Sequence, residues 1–195
     1  INQVQEVLKQ KKAFGKGRKQ KIMVEFADPN PFKEFHIGHL RNIALGESFS
    51  RLLEAIGHEV RRVNYQGDVG MHVAKSLWGM KKMLSEQPDV LSAGKDSRKK
   101  AAVLGRAYAR GTQAYEQSKE DKQAIIDLNK KIYRQDPSVL KDWEKGRKIS
   151  LDYFDLIYQR VGTVFTRFYF ESEVAPKGQI IVRDHIADGV FEESE

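Results

Sequence analysis

The chain has 195 residues, 40% hydrophobic and 31% charged, with a formal net charge of +7, a pI near 9.4 and a mean hydropathy of -0.59. That composition fits a soluble globular domain, or a domain with an insertion. No apolar run approaches the ~20 residues of a membrane span and no signal-peptide pattern is present, so no membrane association and a cytoplasmic location are expected. Cysteine is absent, which excludes disulfides and thiolate chemistry, and the positive charge makes a polyanion such as RNA a natural partner. The chain opens on Ile1 and ends in Glu-Glu-Ser-Glu without a structural stop, and is expected to be a fragment of a longer one.

Asn2 to Gln10 would place Val4, Val7 and Leu8 on one face of a short helix. The basic run KKAFGKGRKQK that follows, with Gly15 and Gly17 inside it, reads as a solvated linker. From Lys21, residues Ile22, Val24 and Phe26 alternate with Met23 and Glu25 at the period of a strand, and the run is apolar enough to be central in a sheet. Pro29 and Pro31 end it, since neither can donate to a ladder, and Asn30 suits the turn between them. Leu40, Ile43, Ala44, Phe49, Leu52, Leu53 and Ile56 then recur at helical spacing, and Gly57 stands where a left-handed cap would close the helix.

His36 and His39 are three apart, so a helix begun by Ile37 projects both imidazoles from one face of its first turn. Unpaired amides and partial positive charge at a helix N-terminus, joined by two imidazoles, make a place for phosphate, above all in a transition state. Gly38 between them leaves room for a flat ring. Taken alone, H-x-x-H more often marks ordinary polar residues at a helix start. Metal is a third reading, but zinc-binding histidines on a helix more often stand four apart with a third ligand nearby, and no metal site is expected.

EVRRVNY, with Val60, Val63 and Tyr65, completes a strand, helix, strand unit. Such a crossover makes parallel neighbours and places ligands at the carboxyl ends of its strands, so Glu25 through Asn30 and Gln66 through Gly70 should share one cleft. Gln66-Gly67-Asp68-Val69-Gly70 by itself reads as a tight turn carrying one carboxylate. From His72 to about Val161 the pattern is helical, with breaks at Gln87-Pro88, Ser92 to Asp96, and Asp136-Pro137-Ser138. Trp143, Ile149, Phe154, Ile157, Tyr158 and Val161 are expected in its core, and Arg98-Lys99-Lys100, Lys130-Lys131 and Arg147-Lys148 on solvated faces. Past Gly162, TVFTRFYFESEV is aromatic and β-branched and should return the chain to the sheet, with Glu171 at its end. Pro176 to Ala187 then reads as a helix capped near Gly189, and Val190-Phe191 as the start of another strand. The resulting division is 1–20, 21–71, 72–162 and 163–195. A buried Glu25 in an otherwise apolar strand would be costly unless a cation pairs with it, either a bound guanidinium or Arg61 or Arg62.

His36-Ile37-Gly38-His39 reproduces the first signature of the class I aminoacyl-tRNA synthetases. With its surroundings, VEFADPN-x5-HIGHLRN, and the later block NYQGDVG, the chain resembles the arginyl-tRNA synthetases over most of its length. The resemblance implies an α/β fold, a parallel Rossmann-like nucleotide-binding sheet interrupted by a mostly helical insertion, of which this chain holds the first half. It implies an arginine-tRNA ligase that activates L-arginine with ATP, accompanied by Mg2+, and transfers the arginyl group to tRNA(Arg). His36 and His39 would be catalytic, and His36, Gly38 and His39 would bind ATP. Glu25, Asp28, Asn30, His39 and Glu171 would bind arginine. Gly67, Asp68 and Gly70 match a Gly-Asp-Trp-Gly block with Val69 in place of tryptophan, Asp28 replaces a common serine, and Phe170 precedes Glu171 where glycine is common. Some basic residues of the insertion would face the acceptor stem. The second family signature, of the Lys-Met-Ser-Lys-Ser type, has no counterpart between Gly162 and Glu195, so the remainder of the same polypeptide would supply it. A nucleotidyltransferase with the same histidine signature and a non-catalytic RNA-binding fragment stay open as alternatives.

Overall fold

The computed structural model describes residues 19–92 and 96–192; the expected helix over Asn2 to Gln10 and most of the basic run after it lie outside the described residues. Strand β1 (Lys21–Glu25), helix α1 (Ile37–Ala55) and strand β2 (Glu59–Gln66) form the βαβ unit, with β1 parallel to β2 and Glu25 opposite Val63. Strand β3 (Arg167–Phe170) pairs parallel along the other side of β2, Gln66 opposite Phe170, so the order is β1-β2-β3. All strand ends therefore lie along one edge of the sheet, where parallel α/β folds take their ligands.

The position of β1 corrects the sequence expectation: it is an edge strand of the described sheet, not a central one. Lys21, Met23 and Glu25 are exposed while Ile22 and Val24 are half-buried, because only one face of the strand is covered. Alternation, not overall apolarity, was the informative feature of this run. Helix α1 closes at Gly57 as expected, with φ of 97°. Its packing face differs: Ile43, Gly46 and Ser50 are buried, whereas Leu45, Phe49, Leu52 and Ile56 are exposed. Gly46 presses against the Phe26 ring, and so close an approach of helix to sheet selects the small-residue face over the row of large side chains.

Helices α2 (Met71–Glu86), α3 (Ser97–Gln117), α4 (Lys119–Tyr133) and α5 (Pro137–Val161) fill the helical stretch as an arm inserted between β2 and β3. Ser118 makes a break absent from the sequence pattern: its N–H bonds Ala114 O, closing α3, and its hydroxyl accepts from Asp121 N–H at 3.1 Å, opening α4. The arm's core joins Phe32, Leu77, Met80, Leu104, Ile125 and Trp143, and a second core joins Phe26, Ile43, Phe154 and Tyr158. Helix α5, capped by Asp136 and closed at Gly162, runs through both. Of its expected core residues, Ile157 and Val161 are only half-buried.

After β3 the helix α6 (Glu171–Asp184) begins well ahead of Pro176, which it carries inside. The acidic first turn, Glu171 and Glu173, complements the positive helix end and favours this earlier start. Val190 and Phe191 lie in an irregular segment after Gly189 (φ 77°) and form no strand with the described residues.

Helices α2 and α3 touch backbone to backbone: a Cβ built on Gly79 would fall on the Ala107 carbonyl, and one on Gly111 on that of Lys75. Gly79→Ala and Gly111→Ala should each lower stability by about 1–3 kcal/mol in urea unfolding. Gly178→Ala, where the new Cβ meets nothing within 4 Å, should be neutral or slightly stabilising. Equal midpoints for all three would show that the helices can part at no cost.

Candidate active site

The loop from Phe26 to Phe35 carries the chain from β1 to α1 in a conformation that side chains resist. Ala27 (φ 81°), Asp28 (φ 49°) and Phe32 (φ 66°) are all left-handed without being glycine, a strain that persists only where the surroundings over-determine it. Here they do: Phe32 is fully buried, its N–H bonds Ser150 Oγ at 2.9 Å, and its ring lies over Gly146 of α5.

The loop delivers His36 as the N-cap of α1, with His39 one turn inside. The His36 Nδ1 accepts from Gly38 N–H at 3.1 Å, and the His39 Nδ1 accepts from His36 N–H at 3.2 Å. The rings stack, centroids 3.7 Å apart. The expectation of free amides at this helix start is thus corrected: the imidazoles themselves occupy two of them. The room left by Gly38 is taken by the ring of His36 itself, since a Cβ on Gly38 would lie 2.9 Å from its Cε1, which corrects the expectation of a space for a bound ring there. Acceptance at Nδ1 leaves the hydrogen on Nε2 of each ring, the nitrogen available to a ligand. Burial first, then the neighbouring His36 and Lys33, push the His39 pKa down to about 4.

The second side of the cleft is acidic. Asn30 Oδ1 accepts from Gly67 N–H at 3.1 Å, and Asp28 Oδ1 accepts from Tyr65 N–H at 3.2 Å, so the loop after β1 is tied to the end of β2. Burial raises the Asp28 pKa, the Tyr65 N–H lowers it, and the nearby Glu25 raises it further. Glu171, the first residue of α6, faces Gly67: a Cβ there would lie 3.1 Å from Glu171 Oε2. Tyr65 stands among these groups; burial, then Glu171, Asp68 and Glu25, raise its pKa. Glu25 itself is exposed, which corrects the expectation of a buried carboxylate. Neither expected salt-bridge partner is paired with it, because Arg62 is paired with Glu47 and Glu54, and Arg61 with Glu59.

Asp68 is brought to the same loop but turned inward, with no exposed surface. Its carboxylate accepts from Ser172 N–H at 2.9 Å and Ser172 Oγ–H at 2.8 Å, and pairs with Arg147 Nε at 3.1 Å. Arg147 lies 3.8 Å over the Phe170 ring, so it is not the solvated residue expected from its charge run. Trp143 Nε1–H donates to Asp68 O at 2.8 Å, and Val69 is buried beside it in the arm's core. Gly70 opens α2 with φ of 110°. Tyr65, Tyr133 and Lys33 join the cleft without any signal in the sequence beyond a β-rich run, a helix end and a lysine. Among the described residues no group of three or more His, Asp or Glu side chains is placed to hold a metal ion.

A parallel sheet whose first crossover helix opens on a paired H-x-x-H cap at the strand ends defines the nucleotide fold of the class I tRNA synthetases. The model of the class I (R) tRNA synthetase catalytic domain matches residues 3–195, and the chain belongs to that family. It is 30% identical over 191 residues to an arginine-tRNA ligase of Borrelia garinii subsp. bavariensis, covering 96% of this chain and 32% of that one. With one from Treponema pallidum subsp. pallidum the identity is 34% over 177 residues, covering 90% and 29%. The arginyl-tRNA synthetase structure of Thermus thermophilus superimposes with a TM-score of 0.70 at 27% identity, over 94% of this chain and 28% of that one. The chain thus spans about a third of the length of the curated relatives it matches.

Followed by NMR, the His39 ring should stay neutral well below the ~6.5 of a free histidine and titrate near pH 4. Since the folded value is depressed, its stability contribution is complete above the unfolded pKa and is lost as pH falls from ~6.5 towards about 4. A midpoint near 6.5 would mean that the ring is not held as an acceptor.

Proposed function

We propose that the chain forms the first part of the catalytic domain of an arginine-tRNA ligase, a cytoplasmic enzyme that activates L-arginine with ATP and passes the arginyl group to tRNA(Arg). The observation that carries the reading is the gathering of two groups of opposite character at the strand ends, one at the start of α1 and one at the end of β2. Lys33, His36 and His39 form one pole, while Glu25, Asp28 and Glu171 form the other around Tyr65. A polyphosphate suits the first and a cationic amino acid the second. The same split favours this reading over a nucleotidyltransferase of unspecified acceptor and over a non-catalytic RNA-binding fragment, neither of which needs the acidic pole.

In the first step the substrate carboxylate attacks the α-phosphorus of ATP, a P–O bond forms, and pyrophosphate leaves with the electrons of the broken one. Such a step offers little covalent work to the protein, so catalysis rests on positioning and on charge stabilisation. His36 and His39, held as acceptors at Nδ1, offer Nε2–H donors to the phosphate oxygens on which negative charge grows. Magnesium would accompany the ATP and be held by its phosphates. Gly38 admits the His36 ring to its cap. Asn30, fixed by Gly67, would bind the amino and carboxylate ends of arginine together with His39, and Glu171 and Glu25 would take its cationic groups. The remainder of the same polypeptide would supply the second signature and cover the apolar row on α1.

In the complete enzyme His36→Ala or His39→Ala should slow adenylate formation by ~10²-fold or more in single-turnover kinetics, with a stability loss of only about 0.5–2 kcal/mol from the lost cap. An effect below about threefold on both would remove the histidines from the chemistry.

A further inference from the structure

Glu171 is half-buried at the start of α6, and its two oxygens have different neighbours. Oε2 is turned to Gly67, whose missing side chain leaves space beside both this oxygen and Asn30 Oδ1. Oε1 lies 3.4 Å from the hydroxyl of Tyr133, which donates to it. Tyr133 is the last residue of α4 and so belongs to the helical arm, not to the sheet. Its position is fixed from behind: Ile132 is buried in the arm's core, and the chain turns at once through Gln135 (φ 52°) to the Asp136 cap of α5. A cavity of about 130 Å³ lies between this turn and α6, lined by Ile132, Tyr133, Gln135, Ser172 and Gln179 among others.

We propose that Tyr133 is a positioning residue for the substrate's guanidinium, holding Oε1 of Glu171 so that the carboxylate plane is set before the substrate arrives. The inference rests on the arginine reading of Glu171. An ionised carboxylate offers about four acceptor sites, and one phenol bond uses one of them, leaving both oxygens free to meet a planar fork. Fixing the plane removes rotational freedom that binding would otherwise have to remove, for any ligand that meets the carboxylate with two parallel N–H groups, while the charge of Glu171 selects the cation among them. Burial and the adjacent Glu171 carboxylate also raise the phenol pKa, which keeps its hydrogen in place as a donor at neutral pH. The arm thereby contributes to amino-acid binding through a residue that no part of the sheet carries.

The test is Tyr133→Phe, Glu171→Gln and the double variant in the complete enzyme, each measured for arginine KM, ATP KM, kcat and inhibition by citrulline. Tyr133→Phe keeps the ring and should raise the arginine KM about 5–20-fold, with ATP KM and kcat within about twofold and with citrulline inhibition weakened by a similar factor. In the Glu171→Gln background the same change should add less than about twofold, because the two residues act as one unit. An unchanged arginine KM in Tyr133→Phe alongside a large effect of Glu171→Gln would overturn the role of Tyr133 and leave the pocket reading intact. Additive effects would also overturn it, since the phenol would then act independently of Glu171. If Glu171→Gln leaves arginine binding unchanged, the pocket reading itself falls and the inference falls with it.

Discussion

Asp68 is a carboxylate with no exposed surface, in the loop that ends the central strand of the sheet, and Arg147 and Ser172 hold it there. Removing a charge of that kind from water is tolerable only when its acceptor sites are filled, and removing one partner strands the other. The pair has a topological consequence. Arg147 belongs to α5 and Ser172 to α6, so one buried carboxylate joins the end of β2, the helical arm and the element that carries Glu171. The rest of α5 extends the same service along the sheet edge. Ser150 holds the strained loop at Phe32, and Tyr158 accepts from Asn64 and Gln66 near the end of β2. Arg147 also stacks over Phe170, the last residue of β3. Every strand end that reaches the cleft is thus held from one helix, and the cleft is only as rigid as that helix's seat between the two cores.

The cleft inherits its electrostatics from this frame and not from the net charge of +7. Asp68 is paired with Arg147, yet after burial, and with Glu171 and Glu25, it still raises the Tyr65 pKa, so it backs the acidic pole that Asp28, Glu25 and Glu171 present. Asp28 shows the tension in such a pole: burial and Glu25 both favour its protonated form against the single N–H of Tyr65. A bound cation would relieve that tension by favouring the charged form. The histidine pole has the converse character, since His39 is kept neutral by burial, His36 and Lys33, so what it offers is a hydrogen-bond donor and not a full charge.

How much of this was legible in the chain follows from how local each feature is. The strand, turn and helix around His36 depend on alternation, proline and helical spacing, all readable within a few residues, and the βαβ unit followed directly. The sense in which the histidines cap their own helix was not readable, because it depends on ring geometry that spacing alone does not fix. The apolar row on α1 mixes Ile43, which is buried, with Phe49, Leu52 and Ile56, which are exposed, because spacing marks a helix and only the close approach of Gly46 to Phe26 selects the side that packs. Asp68, Arg147 and Tyr133 were opaque for a stronger reason: their partners lie 104, 79 and 38 residues away or are set by such pairings, and single-sequence patterns carry no information at that range.

The distribution of exposed apolar side chains separates the two parts of the chain. Among the described residues of the arm, α2 to α5, only Tyr133 and Leu156 are large hydrophobic residues left exposed, and its core also takes in Phe32 and Val69 from the loops at the strand ends. On the sheet side Met23, Leu45, Phe49, Leu52 and Ile56 are all exposed, and β1 has one edge without a partner among the described residues. An unpaired strand edge beside a continuous apolar helix face is a surface that folded proteins cover. The exposed apolar surface therefore lies on the nucleotide fold more than on the arm, and the asymmetry agrees with a chain spanning about a third of its curated relatives. The helix which organises the cleft, α5, is seated in both cores, through Val139, Trp143 and Ile149 in the arm and Phe154 and Tyr158 against the sheet. The strand ends are consequently held in place from a helix that both parts of the chain share.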